Sequence, residues 1–505
     1  EIQTLLLQGK GGLWWRMVCK GLLWGKLLFQ RSRVRLQRGH EPLYHSIPSQ
    51  TVTPPPSIRA GPSRGRGCAG GMMRDTAIVL LAVGALLPGG YPCPAWRCGG
   101  SHNGTSFYDP KSDLSLYPYS NVLQVDGAGI SSSAVQANDG TVFVGGHDGY
   151  IRVFRKQQAT SSTDFWRTET TAWAELYKSP EFGSSCQILS TPTILYGTSS
   201  DPSVYTVVFS CGRRVVAIDG SKNTPTKLWT IDLCDYFVGA LENCEWQSGT
   251  SSPVATTTGD VIYLCVGPSN RGACFALKSA DGSLLTSWAQ NPFPSSDSSN
   301  MMFTSSPALL PTGTLAVGAN LGGAGVMLFL DSLTGLRDFS KGEFKLQNGV
   351  LFTSSPAVLP DGSLVICSTD GQLHKFKPDN EYEWSKPDLC GTSPSSLQAS
   401  PAVTPTGDLI VSSSSPPLLR RLTASGVEVW SFCANPEYAS GDCTGGPVAS
   451  SPVYTPSGQV VAGGAGGVVF SVAFDTSIET WRYHVGDSSL VSTPLIASDG
   501  VVLVG

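Results

Sequence analysis

Phe352-Thr-Ser-Ser-Pro356-Ala-Val-Leu-Pro-Asp361-Gly362-Ser-Leu-Val-Ile-Cys367-Ser-Thr-Asp370-Gly371-Gln-Leu-His-Lys-Phe376 decides the fold. It reads as a short strand, a Pro-Asp-Gly turn, a second apolar strand, a Thr-Asp-Gly turn and a third strand. Asp-Gly suits tight hairpins because glycine reaches positive φ without steric cost and Asp tolerates it. The stretch is therefore an antiparallel meander, and the question becomes whether the same unit recurs.

It recurs along most of the chain. Ser-Ser-Pro or a close variant aligns at Ser133, Pro192, Pro253, Pro307, Pro356, Pro401, Pro452 and Pro494, at spacings of 42 to 61 residues. From Pro253 onward a turn glycine follows each proline by six residues: Gly259, Gly313, Gly362, Gly407, Gly458 and Gly500. A β-branched run follows each glycine. The closing segment of a unit usually ends in tryptophan: Trp166, Trp229, Trp288, Trp384, Trp430 and Trp481, with Phe339 in the fourth unit. About four short strands per unit at this spacing predict an all-β fold, a β-propeller of four-stranded antiparallel blades. The fixed place of the tryptophans marks them as packing between blades.

Taken together, Ser-Ser-Pro, turn glycine, two apolar strands and Thr-Gly-x-x-x-Trp resemble the PQQ-type repeat of quinoprotein-like propellers. Asp331-Ser-Leu-Thr334-Gly335-Leu-Arg-Asp-Phe339 and Ala424-Ser-Gly426-Val-Glu-Val-Trp430 match its closing half. The resemblance covers residues 131–505. It implies a propeller, and either a quinone-dependent dehydrogenase or a member without catalysis.

The ring count follows from both ends of the repeat. Residues 119–130 resemble a closing outer strand, seven complete units follow, and the last unit stops after two strands at Val501-Val-Leu-Val-Gly505. The expectation is eight blades with the last truncated and its third strand missing, or seven blades as the alternative.

Charge divides the chain before the propeller begins. Residues 1–71 hold 11 Lys/Arg against 2 acids, and the remaining 434 hold 23 against 36. The head reads as a disordered segment upstream of the true start, with an organelle presequence as the alternative. Residues 72–95 have the layout of a secretory signal peptide, with Arg74 before about a dozen apolar residues and then Pro88-Gly-Gly. Residues 96–118 read as a linker and 119–505 as the propeller. No stretch is long and apolar enough for a transmembrane span in the mature chain.

Twelve of the 14 cysteines follow Met72. Cys265 and Cys274 fall on facing strands of one hairpin, and the pairs Cys234/Cys244 and Cys433/Cys443 are each ten residues apart. Such spacings suit disulfides, which fit a secreted or endomembrane-lumen protein, or an organelle lumen reached through a bipartite presequence. Asn103-Gly-Thr105 is the single glycosylation sequon and makes Asn103 the candidate acceptor.

No catalytic set appears. The glycine-rich turns at residues 318–325 and 463–467 lie between strands, whereas phosphate loops open a helix. His147 with Asp148, and Asp370 with His374, read as solvated turn residues. The catalytic relatives' adjacent-cysteine pair is absent from the sequence, and no acidic cluster matches their calcium ligands. The expectation is an exported binding or scaffold propeller without metal or cofactor, whose long inserts at 157–178, 232–247 and 291–302 hold a protein or carbohydrate and no nucleic acid. The alternative is a PQQ- and calcium-dependent dehydrogenase of alcohols or sugars.

Overall fold

The computed structural model describes residues 2–9, 12–19, 77–81, 102–110, 122–124, 129–156, 173–178, 187–196, 203–236, 251–267, 272–288, 301–338, 344–392, 399–413, 418–434, 448, 450–464, 466–485 and 489–505. Two compact units result, Glu1–Gly70 and Gly71–Gly505. In the first, Ile2–Gly9 pairs antiparallel with Gly12–Cys19, where the sequence led us to expect disorder. Among the described residues the second unit is all β apart from one turn of 3-10 helix at Leu233–Tyr236.

Seven blades are each cut from one continuous run. Their strands run in sequence order from one edge of the sheet to the other. Blade 1 comprises Val135–Gln136, Val142–Gly145, Ile151–Lys156 and Trp173–Lys178, and blade 2 Thr193–Tyr196, Tyr205–Cys211, Arg214–Asp219 and Thr226–Asp232. Blade 3 has Val254–Ala255, Val261–Val266 and Ala273–Lys278, with a Leu277–Leu284 bridge in place of a full fourth strand. Blade 4 is built on Ala308–Leu309, Thr314–Leu321, Ala324–Asp331 and Phe344–Lys345, with Met301–Met302 added beside its second strand. The organising stretch becomes blade 5: Ala357–Val358, Leu364–Cys367, Asp370–Phe376, then Tyr382–Thr392. Blade 6 runs Ala402–Val403, Leu409–Ser412, Leu418–Leu422 and Glu428–Cys433. Blade 7 runs Val453–Tyr454, Gln459–Gly464, Val468–Ala473 and Glu479–His484.

Seven contiguous blades are the number the alternative expectation gave. The remaining place in the ring is filled by a composite closing sheet rather than by a truncated blade. Leu495–Ile496 and Val502–Val504 pair with Ala77–Leu81, which pairs in turn with Val122–Gln124. The missing third strand is thus supplied by the apolar run that reads as a signal peptide. A run of Ala-Ile-Val-Leu-Leu serves either purpose, because both need continuous apolar side chains. The segment expected to be a linker is also ordered in part, since residues 102–110 are strapped to blades 6 and 7.

Apolar packing sits between sheets rather than within them. Eight clusters of buried side chains occupy the eight junctions of the ring. The blade 4–5 cluster holds Met327, Phe329, Phe352 and Phe376, while Leu495 and Leu503 of the closing sheet pack on Val142, Val144 and Phe154 of blade 1. Middle strands are buried on both faces, which explains their uninterrupted β-branched sequences. A register shift between third and fourth strands recurs in blades 1, 2, 5, 6 and 7. Such bulges strengthen local twist and bend the outer strand.

Three tryptophans latch a blade to the next by a hydrogen bond, while Nε1 of Trp384 and Trp481 is buried without a partner among the described residues. Trp229 Nε1 donates to Ser279 O at 2.9 Å, Trp288 Nε1 to Ser332 O at 3.1 Å, and Trp430 Nε1 to Phe474 O at 2.7 Å. The receiving turn explains the Thr-Gly of the repeat. A Cβ on Gly282, Gly335 or Gly426 would lie 2.6, 2.7 or 2.9 Å from the ring of Trp229, Trp288 or Trp384. Those glycines also hold φ of +73°, +69° and +77°, a region costly for other residues. Trp288 is buried, whereas Trp229, Trp384, Trp430 and Trp481 are half-buried. The partial exposure follows from their place, since outer strands are covered on one side only. Trp166 and Phe339 lie outside the described residues.

Candidate functional site

The two serines of Ser-Ser-Pro do different work. In six units the first accepts a hydrogen bond from the second strand of its own blade. The N–H groups of Gly145, Ser210, Gly318, Cys367, Gly463 and Gly505 donate to Oγ of Ser132, Ser190, Ser305, Ser354, Ser450 and Ser492 at 2.6 to 3.3 Å. The second serine reaches the neighbouring blade. Thr493 N donates to Ser133 Oγ at 2.9 Å, Ser133 N to Thr191 Oγ1 at 3.2 Å, and Thr191 N to Ser252 Oγ at 3.0 Å. The chain of bonds continues from Ser252 N to Ser306 Oγ at 2.9 Å, Ser306 N to Ser355 Oγ at 2.8 Å, and Ser355 N to Ser400 Oγ and Ser400 N to Ser451 Oγ, both at 2.9 Å. The result is a belt of side-chain-to-backbone bonds around the ring.

Proline makes the geometry repeat. It holds the residue before it in the extended region and brings no N–H of its own. Every belt residue except Ser133, which Ala134 follows, therefore enters its innermost strand in one conformation, with its amide free to reach across. Innermost strands otherwise present an unpaired edge. Beyond the belt in blades 6 and 7 that edge is covered by the strap. Val403 N donates to Asn103 O at 2.6 Å, Thr105 Oγ1 to Val403 O at 2.7 Å, Tyr454 N to Gly104 O at 2.9 Å, and Ser106 N to Tyr454 O at 2.7 Å. The sequon is thus part of a structural strap, with Asn103 half-buried.

All eight belt residues line one axial pocket of about 270 Å³, together with Ser131, His147, Gln187, Leu189, Thr304, Thr353, Ala399 and Val491. Among the described residues the wall is rich in hydroxyls and carries no Lys, Arg, Asp or Glu. His147, expected to be a solvated turn residue, instead stands in this wall with Nε2 2.8 Å from Ser131 Oγ. Its ring lies over Gly129, where a Cβ would come 2.8 Å from Nδ1. Burial lowers its pKa, and Asp148 opposes that shift. Asp148 itself is paired through both carboxylate oxygens with Arg152, which is 2% exposed, at 3.0 and 2.5 Å. A serine and a histidine therefore meet, but the adjacent carboxylate is turned to the arginine. Activation of a serine needs a base held by a third group, and Asp148 does not fill that role.

A second Ser-Asp-His set lies in blade 5, again where solvated turn residues were expected. Ser368 Oγ donates to Asp370 Oδ1 at 2.5 Å and contacts His374 Nε2 at 2.8 Å. With the hydroxyl proton given to Asp370, the imidazole donates from Nε2. His374 is 2% exposed, packed edge-on against Phe344 and Phe352, and its Nδ1 is buried without a partner among the described residues. Burial pushes its pKa down to about 4, against the pull of Asp370. Ser368 is fully buried, so the set has no access to substrate. Its chemistry is structural.

The cysteines form cross-links around the blades. Cys265 and Cys274 are register partners and are joined, with S–S 2.02 Å, and Cys367 is joined to Cys390 on the outer strand of blade 5. Cys211, Cys234 and Cys433 are also disulfide-bonded. Cys244 and Cys443 lie outside the described residues. The Cys367–Cys390 bond was not foreseen, because its 23-residue separation spans a whole hairpin.

A quinone cofactor with calcium fits the pocket poorly. Calcium takes six to eight oxygen ligands with carboxylates prominent among them, and a polycarboxylate quinone calls for cations. The lining offers neither, and no group of three or more His, Cys, Asp or Glu gathers among the described residues. No helix among the described residues is long and apolar enough to cross a membrane.

No protein-family model and no curated protein matches the sequence. Solved structures do. A europium-containing methanol dehydrogenase aligns over 80% of this chain and 87% of its own, at 11% identity and TM-score 0.54. Quinohemoprotein alcohol dehydrogenase ADHIIG from Pseudomonas putida HK5 aligns over 82% and 76%, at 11% identity and TM-score 0.52. BamB from Moraxella catarrhalis aligns over 76% and 95%, at 15% identity and TM-score 0.47. Similarity at these identities concerns the fold alone. With seven contiguous antiparallel blades, most of them four-stranded, the chain has the fold of a PQQ-like β-propeller.

Proposed function

We propose that the chain is a non-catalytic binding propeller that works in an oxidising compartment, secreted or in the endomembrane lumen, and holds a protein partner on the loops between its strands. The observation that carries the reading is the axial pocket. In dehydrogenases of this fold class that region would have to hold a charged quinone and its metal; here it is walled by hydroxyls that tie the blades together. The belt and the tryptophan latches make a rigid frame, on which loop inserts set specificity. The cross-links at Cys265–Cys274 and Cys367–Cys390 support the compartment.

The test compares two behaviours of the full chain. Reconstitution with PQQ and calcium is expected to give neither a bound-cofactor spectrum nor dye-linked alcohol oxidation. Crosslinking to partners in the secreted fraction is expected to place contacts on the stretches 237–243 and 291–300, which lie between the described elements, and to lose them when those stretches become Gly-Ser. Cofactor binding with turnover would replace this reading by the PQQ- and calcium-dependent dehydrogenase. Alkylation of Cys265 and Cys274 in the native protein would overturn the compartment.

A further inference from the structure

The belt leaves a surplus of hydrogen-bond donors pointing at one axis. Each belt hydroxyl carries one proton and accepts through oxygen. In Ser133, Thr191, Ser252, Ser306, Ser355, Ser400 and Ser451 the oxygen already accepts a neighbour's backbone N–H. None of the seven hydroxyl protons finds an acceptor among the described residues, and all seven side chains are at least nine-tenths buried in the wall of one pocket. Buried donors without acceptors cost about 1–3 kcal/mol each, so whatever fills the pocket must supply acceptors.

From this we infer an axial oxyanion site, taking a tetrahedral anion of the sulfate or phosphate class. An oxyanion presents acceptor atoms on every side and no donors, the complement of a ring whose acceptors are used up. Water alone meets the ring less well, because every molecule that accepts from the belt also brings protons that need acceptors. The pocket volume of about 270 Å³ exceeds the ion, and the remaining space, at about 30 Å³ per water, is taken by water bridging the farther hydroxyls. No Asp or Glu stands among the described lining residues to repel the ion. The chain's net charge of −4 provides no long-range attraction, so selection rests on the ring itself. The site is independent of the loop-face reading above.

Equilibrium dialysis of the full chain with labelled inorganic phosphate at constant ionic strength tests it, with unlabelled sulfate, methyl phosphate and chloride as competitors. One phosphate per chain is expected, with a dissociation constant of about 1 mM or tighter, displaced by sulfate and not by chloride. Displacement by methyl phosphate at similar concentration would mean the site also takes the group as an ester. Ser306→Ala with Ser400→Ala should weaken binding at least tenfold. Ser306→Thr with Ser400→Thr should keep it, since threonine already stands in the belt at Thr191 and Thr493. If the alanine pair fails to fold, the threonine pair and the competition series still decide. Non-saturable uptake, equal displacement by chloride, or equal binding by the alanine pair would overturn the proposal.

Discussion

Ser355→Ala isolates one link of the belt. Ser355 is 4% exposed and its Oγ accepts the N–H of Ser306 at 2.8 Å. Removing the hydroxyl leaves that amide buried without an acceptor, a loss of about 1–3 kcal/mol. At roughly 2.1 cal/mol/K per residue, a propeller of about 400 residues unfolds with an entropy near 0.8 kcal/mol/K, so the melting temperature should fall by roughly 1–4 °C. Ser363→Ala is the matched control. It is also buried, but its hydroxyl donates to Asp361, which keeps the Ser363 N–H at 2.9 Å, so no amide is orphaned. Ser355→Thr should restore most of the loss. Differential scanning calorimetry of the three variants and the parent gives the comparison. If Ser355→Ala melts with the parent, or no lower than Ser363→Ala, the belt contributes nothing and the argument from Ser-Ser-Pro is wrong.

Three other outcomes follow from the same geometry. Gly335→Ala should cost about 2–4 kcal/mol in chemical denaturation, from left-handed backbone strain and a Cβ 2.7 Å from Trp288; Ser477, which holds φ +57° at the equivalent turn of blade 7, should instead gain up to about 1 kcal/mol when changed to glycine. Trp430→Ala should cost about 2–3 kcal/mol, below the full-burial range because the ring is half-exposed, and a parent-like melt would remove the latch. Acid stability should report His374. Its native pKa of about 4 lies below the ordinary 6.5, so the unfolded chain takes up the proton first, and stability falls as pH drops from 6.5 toward 4, by on the order of 3 kcal/mol in all. His374→Phe should flatten that window, and an unchanged acid limb would contradict the assignment.

The blades were legible because their cause is local. Asp-Gly turns, β-branched runs and the Thr-Gly of the closing half act within a few residues, and the repeat displays them many times. The belt was visible only as a motif. Its partners lie 45 to 61 residues apart, as with Ser355 to Ser400 and Thr191 to Ser252, or 360 apart for Ser133 and Thr493, and nothing in one unit says that its second serine serves another. His147 and His374 were misjudged for the same reason: both sit beside Asp in a turn sequence, and only packing shows that one enters the pocket wall and the other is buried under Phe344 and Phe352. Ala77–Leu81 was read through its apolar composition, which suits a signal peptide and a strand alike. Trp229, Trp288, Trp384, Trp430 and Trp481 stand at sheet junctions, but sequence position does not tell an outer strand's single covered face from a middle strand's two.

The most direct test of the belt is residue-resolved amide hydrogen exchange at the positions before the prolines. The N–H groups of Ser252, Ser306, Ser355 and Ser400 belong to no strand ladder, and their protection rests on the hydroxyl of the next blade. They should exchange as slowly as the middle-strand amides of Val365 and Val411, through opening of the ring as a whole. Exchange at the rate of the surface turns, with the middle strands still protected, would mean that the blades stand side by side without a belt.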